Sequence, residues 1–436
     1  MAGRPSRQRA LDVWMNGQRV GRWSVGASGV QSFAYDTSWL ASPEARPLSL
    51  SLPLGQPRPW RGDRVAAYFD SLLPGSALPR QRLQSWFGAA SAHSFDLLAV
   101  AGGDCAGAAQ LLPPDVAPGD PMRVDGESLS ERELVRLLDA CAATPGADAV
   151  AGVKLPRVVL PGARAKTALL RHGGRWCLPL HATPSTHILK LPLGAAPGGA
   201  PSHSTSLENE WLCGQLLRAF GFEVAASTIE AIGPHRVLVS ERIDRRWVDD
   251  RWWARLPLDD FCQATATPPQ RGAEGPGVRR MLDLLRGSEQ AASDRERLLA
   301  ALVVMWLLAV PDVSGQRFAL HLHRGGRFAL APLRGAMSAW PLLGRAPSAA
   351  SLKRLPWTLS PNGEPMAHHH VTRRHWLQVA RRQGVGAGFD AVLGGLAAWA
   401  DRATQAVADQ LPAGFARSVS EPVFEGMRRG AQRLSD

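Results

Sequence analysis

The 50 Lys and Arg residues of this chain include only four lysines (Lys154, Lys166, Lys190 and Lys353), which leaves 46 arginines. Where lysine is that scarce, a lysine at a chemically meaningful position is hard to assign to drift. Lys190 closes the apolar run His187-Ile188-Leu189-Lys190, and an ammonium on a buried strand needs a counter-charge. Glu208 and Glu210 follow within 20 residues, on a helical pattern. Such a set serves one of two ends. It is a satisfied structural ion pair, or a strand lysine held by a helix carboxylate and aimed at nucleotide phosphates. Asp312 follows an apolar helix through Val310-Pro311 and precedes a strand-like segment. It reads as a turn cap or as the aspartate of a phosphotransfer loop. The charge-rich stretch Ser240-Glu241-Arg242-Ile243-Asp244-Arg245-Arg246-Trp247 ends a strand and enters a loop. In a kinase-like fold the chain passes there between lobes and offers backbone groups to a base.

Other constellations carry less. His368-His369-His370, with His375 nearby, invites a metal reading, but consecutive histidines point in different directions and a solvated basic patch is expected. The run Gly162 to Thr167 ends in Lys-Thr but lacks the glycine that precedes the lysine of a P-loop. Five cysteines without a CxxC pair argue against a disulfide frame or a zinc site and for a reducing cytoplasm. Arg373, Arg374, Arg381, Arg382, Arg428 and Arg429 form basic faces near the C-terminus, solvated or approaching DNA phosphates in a larger complex.

These residues need elements to position them. A chain of 436 residues, 45% hydrophobic and 20% charged, has ample core for two or three domains and is not disordered. Its longest apolar run, Leu298 to Val310, spans 13 residues, which suits a buried helix and is too short for a bilayer. No membrane association is expected. Near the start, Leu11–Met15 alternates, Asn16-Gly17 signals a two-residue hairpin, and Val20–Val25 returns. Pro47 to Leu54 alternates again. Helical spacing marks Val65–Leu73 and Gln81–Phe87. Leu112 to Pro121 reads as a linker, and Ser128 or Ser130 caps a helix running to Leu138. Strand-like runs follow at Arg157–Leu160, Thr167–Arg171, Trp176–Pro179 and His187–Pro192, then a helix over Ser206–Phe220 and strands at Ala225–Ile232 and Val237–Ile243. Beyond Leu258 the chain is mostly helical, broken by a hairpin-like pair at Arg317–Leu322 and Arg327–Leu330. The fold class expected is α+β, bilobal and kinase-like.

Several stretches, in order and spacing, resemble the HipA family, the serine/threonine-kinase toxins of type II toxin–antitoxin modules. They are WMNGQRVG, ARPLSLSLPL, FDSLLP, FDLLAVAGGDCAGA, AKTALLRHGGRWCLP, PSTHILKLP, ENEW, SERIDRRW, RLPLDDFCQA, GPGVRRML and PLRGAMSAWPLLG. The resemblance implies an N-terminal subdomain over 1–120, a linker and helix over 121–155, and a kinase-like domain over 156–436. Within the last, 156–255 is the nucleotide-binding lobe and 256–436 the helical lobe. It places the ATP-binding strand lysine on Lys190 and the basic residue after the flexible loop on Lys166. That loop contains Gly162. The hinge falls on Glu241 to Ile243, with isoleucine where phenylalanine is usual, and the catalytic aspartate falls on Asp312.

The same resemblance exposes departures. The serine whose autophosphorylation silences these kinases is Val159. The catalytic-loop histidine is Ser314, the lysine Gln316 and the metal-binding asparagine Arg317. The second metal ligand, an aspartate after tyrosine, is Gly335 beside Arg334. A base-contacting glutamine is Leu258. Magnesium takes hard oxygen ligands. Losing both protein anchors, with a cation in place of one, breaks the neutralisation that phosphoryl transfer depends on. ATP is therefore implied as the bound cofactor, and the basis for magnesium is lost. One reading keeps a function at the site: Arg317, Arg334, Lys190 and Lys166 hold phosphate without metal. The expected protein is a pseudokinase that keeps its contacts to a HipB-type helix-turn-helix antitoxin, and reaches operator DNA through it. The alternative is an active kinase with an altered metal set and a protein substrate. The formal charge of +12 is compatible with accessory phosphate contacts.

Overall fold

The computed structural model describes residues 9–55, 58–143, 151–194, 204–268, 275–311, 313–344, 347, 356–357, 366–386 and 388–435. Two compact units emerge. The first comprises 1–191, 230–273 and 320–328, and the second comprises 192–229, 274–319 and 329–436.

The first unit is built on two sheets. Strands Arg9–Met15 (β1), Gln18–Val25 (β2), Gln31–Tyr35 (β3), Trp60–Arg61 (β4) and Gln110–Leu112 (β5) form an antiparallel sheet of order β4-β3-β2-β1-β5. Asn16 and Gly17 turn β1 into β2 with φ of 47° and 80°, as a two-residue hairpin of this hand requires. Helices Asp63–Ser71 (α1), Ala77–Phe87 (α2) and Ser94–Ala101 (α3) follow. The core gathers Trp23, Phe33, Phe69, Leu97 and Leu98, with Trp23 stacked on Phe69 at 4.0 Å.

The second sheet has the order β10-β11-β9-β7-β8-β6. Its strands are Gly126–Ser128 (β6), Lys166–His172 (β7), Arg175–Pro179 (β8), His187–Lys190 (β9), Ser227–Ile232 (β10) and His235–Glu241 (β11). Helix Glu131–Ala142 (α4) packs Leu134, Leu137 and Leu138 into a core with Leu169, Leu189 and Val239. Of the two serines that could cap α4, Ser130 does so, through a reciprocal box with Glu133. The charge-rich stretch after β11 is not a loop. It forms a hairpin of Arg245–Val248 (β12) and Trp252–Arg255 (β13), turned by Asp249 and Asp250 at φ near +50°. Leu258–Asp260 (β14), Ala319–Leu322 (β15) and Phe328–Leu330 (β16) make a three-stranded sheet in that order.

Two expected strands do not form. Pro47 to Leu54 makes only an isolated bridge, Ser49 to Leu52, because its donors go elsewhere. The N–H of Leu48 binds the Tyr35 hydroxyl at 2.6 Å, and that of Leu50 binds Asp259 at 2.8 Å. Pro47 and Pro53 have no N–H to offer a ladder. Arg157–Leu160 is likewise limited to a parallel bridge from Val158 to Asp104.

The second unit is helical. Ser206–Ala219 (α5), Val278–Leu284 (α6), Ala291–Leu307 (α7), Arg373–Gln383 (α8), Phe389–Ala408 (α9) and Arg417–Ser435 (α10) are its main elements. The expected buried helix is α7, whose residues from Leu298 to Leu307 are all buried. Helix α10 approaches the Trp340 ring so closely that a Cβ on Gly426 would lie 2.3 Å from it. Among the described residues, no helix is long and apolar enough to cross a membrane.

Candidate functional site

Lys166 and Lys190 are register partners across the β7–β9 ladder. Residues directly opposite on antiparallel strands project from the same sheet face, and two like charges so placed are unfavourable unless an anion or acceptor answers them. The Lys166 ammonium donates to the carbonyl of Pro161. Gly162 curls over that lysine with φ of +94°, and a Cβ there would meet Nζ at 2.9 Å. A side chain at 162 would therefore be strained and would crowd the ammonium. Two of the chain's four lysines thus stand side by side on one face of the sheet. Glu208 and Glu210, buried on α5, belong to the second unit, whereas Lys190 belongs to the first.

The residues that resemblance assigns to the hinge lie at the end of β11 in the same sheet. Glu241 is exposed and pairs with His187, Ile243 is half-buried, and the N–H of Arg242 between them binds the Thr186 carbonyl at 2.9 Å. Beneath them lies a buried charge cluster that the sequence alone does not announce. Asp104 receives Arg245 at 2.7 Å, Arg255, and both the N–H and hydroxyl of Ser185 at 2.9 and 2.6 Å. Asp244 binds Arg242 at 2.7 Å and the N–H of Gly107 at 2.6 Å. Other donors of Arg242 and Arg245 reach the carbonyls of Cys105 and Gly107, and the hydroxyl and carbonyl of Ser185. Burial alone would raise the Asp104 pKa, but Arg255, Arg242 and Arg245 overcome it and hold the carboxyl well below the usual range. Asp244 is depressed in the same way by Arg242 and Arg245, again against burial. The only hint in the sequence is that charges of both signs crowd SERIDRRW, which becomes a largely buried turn and strand.

In the second unit, Arg317 donates to the carbonyl of Gly335. Gly335 has φ of +65°, and a Cβ there would lie 3.8 Å from the Arg317 guanidinium and 3.8 Å from the Glu210 carboxylate. The two positions that resemblance assigns as metal ligands are therefore neighbours, but their chemistry does not fit a divalent cation. One is itself a cation, and the other offers only a carbonyl already bonded to it. Among the described residues, no three His, Cys, Asp or Glu side chains converge as a metal site.

Val159 is fully buried in the N-terminal core, and its N–H binds the Asp104 carbonyl at 2.9 Å. Leu258 is also buried, and a Cβ on Gly107 would lie 3.1 Å from its backbone. The carbonyl of Ser314 accepts the Arg317 N–H at 3.0 Å, Gln316 is exposed and Arg334 half-buried. Asp312 lies outside the described residues. The histidine triplet corrects expectation in part. His370 is exposed, but His368 is buried, stacked on Trp306 at 5.3 Å and bonded through Nε2 to its carbonyl at 2.7 Å. Burial pushes its pKa down to about 4 despite that bond. It is a neutral core histidine, not part of a solvated patch.

A β-rich unit carrying a strand lysine and hinge, together with a helical unit, defines a mixed α+β protein of kinase-like fold. A family model of the HipA N-terminal domain matches residues 11–112, and one of the HipA-like C-terminal domain matches 158–413. A Sinorhizobium fredii protein named "Putative kinase Y4mE" is 33% identical over 319 residues, 72% of this chain and 73% of the relative. The HipA of Shewanella oneidensis MR-1, solved with HipB and its operator DNA, superposes with a TM-score of 0.76 at 18% identity, over 98% of this chain and 97% of that one. The Helicobacter pylori kinase CtkA gives a TM-score of 0.42 at 11% identity, over 63% of this chain and 89% of that one. The chain belongs to the HipA family.

Proposed function

We propose that this chain is a HipA-like toxin-family component that binds polyphosphate without metal, has lost phosphotransfer or nearly so, and acts through a helix-turn-helix antitoxin partner. The observation that carries the reading is the contact between Arg317 and Gly335. A guanidinium fixed against the second ligand position supplies internally part of the positive charge that a divalent ion would bring, but it is a hydrogen-bond donor and not a Lewis acid, so it cannot polarise a phosphoryl oxygen by coordination. Removing a single electrostatic contact in a catalytic site commonly costs on the order of 10²- to 10³-fold in rate. Here two metal ligands, the loop histidine and the loop lysine are replaced together. The lysine pair supports retention of the anion site.

The partner reading is supported by the fold match across nearly the whole chain to a HipA solved with HipB and operator DNA. The arginines of α8 add to it: Arg374, Arg381 and Arg382 are exposed, while Arg373 is half-buried and paired with Asp390. Arg373, Arg374, Leu377, Gln378, Arg381 and Arg382 line a hollow of about 540 Å³, suited to phosphodiester contacts once a partner sets the register. DNA would thus be met as part of a complex rather than read by this chain.

A radiolabelled ATP assay with magnesium or manganese, using Asp312→Asn as control, tests the catalytic part. Transfer no greater than in the control is expected. Asp312-dependent transfer to the chain itself or to a protein substrate would establish the alternative, an active kinase with an altered metal set.

A further inference from the structure

Three segments carry the lysine pair and hinge: the loop from Val158 to Gly162, the turn from Ala182 to Thr186 that leads into β9, and the chain from Glu241 to Arg245. All three meet at one residue of the N-terminal subdomain. The Asp104 carbonyl takes the Val159 N–H at 2.9 Å, and the same residue bridges to Val158. Its carboxylate takes the N–H and hydroxyl of Ser185. It also takes Arg245 directly, and Arg242 lies 3.6 Å away. From there the geometry propagates along short covalent paths. Val159 is two residues from Pro161, whose carbonyl accepts the Lys166 ammonium, and Ser185 is five residues from Lys190. The loop has a second anchor, the Val159 side chain, fully buried in the N-terminal core.

We propose that Asp104 is a positioning residue for the anion site, and that with Val159 it locks the loop over Lys166 and the hinge into one arrangement set by the N-terminal subdomain. The N-terminal subdomain is then a working part of the phosphate site. Only this functional consequence rests on reading the lysine pair as an anion site. The lock itself stands on the contacts above.

The test combines hydrogen exchange with titration of ATP in EDTA, on the full chain. Asp104→Asn should speed exchange about tenfold or more in peptides covering 158–166 and 241–246, with α7 unchanged. Val159→Ser should do so in 158–166 alone, and Val159→Ile should behave as wild type. Wild-type exchange in those segments for both Asp104→Asn and Val159→Ser would overturn the proposal. Should Asp104→Asn fail to fold, Val159→Ser decides. Where the wild type binds ATP, either disruptive variant should weaken it about tenfold; a lowered unfolding midpoint with unchanged affinity would mark a merely structural role and overturn positioning. A wild type that binds no ATP overturns the anion-site reading, while the exchange pattern still decides the lock.

Discussion

At the scale of single residues, two positions decide what the helical unit can do. Arg317 and Gly335, the positions that resemblance assigns to metal ligands, are joined instead by an internal hydrogen bond. The substitutions are legible together, since a guanidinium would not sit beside an aspartate and a metal at once. They should therefore be reversible together. In the double variant Arg317→Asn, Gly335→Asp, aspartate can tolerate the left-handed backbone at 335 better than most residues. Its carboxylate would stand beside Glu210. Millimolar magnesium should raise the thermal midpoint of the double variant and leave that of the wild type unmoved. At a magnesium concentration ten times its Kd, the stabilisation would be about 1.4 kcal/mol. Equal magnesium responses in the two proteins would contradict the loss of metal-binding chemistry at these positions.

At the scale of elements, α8 carries the arginine face proposed to meet phosphates. Arg374, Gln378 and Arg381 recur at helical spacing and face one side. In a complex with antitoxin and operator, Arg374→Ala with Arg381→Ala should lower the slope of log affinity against log salt by about two, roughly one for each arginine taken from a phosphate. Antitoxin binding without DNA should be unaffected, and an unchanged slope would exclude α8 from the interface. Elements with local signals were readable in the sequence: the Asn16-Gly17 hairpin, the Ser130 box on α4, the apolar α7. The lysine pair was half-readable, because scarcity singled out Lys166 and Lys190 but only the β7–β9 register placed them face to face. What escaped were tertiary partners. Pro47 to Leu54 alternates like a strand, yet Asp259 and Tyr35, distant in sequence, take its donors. Arg242, Asp244, Arg245 and Arg255 look solvated until Asp104 is seen among them, and His368 looks exposed until Trp306 covers it.

At the scale of the whole molecule, the charge of +12 and the fold point the same way. On the function proposed above, a HipA-family body with a lysine pair, an arginine at a position assigned to a metal anchor and an arginine-rich helix holds anions rather than turning them over. Metal-independent binding of polyphosphate is the property on which this function depends, and the direct measurement is isothermal titration of ATP into the full chain in EDTA. Saturable heat is predicted in EDTA, not improved by magnesium, and abolished by Lys166→Ala with Lys190→Ala. No heat above buffer at millimolar nucleotide, or binding that appears only when magnesium is added, would contradict it.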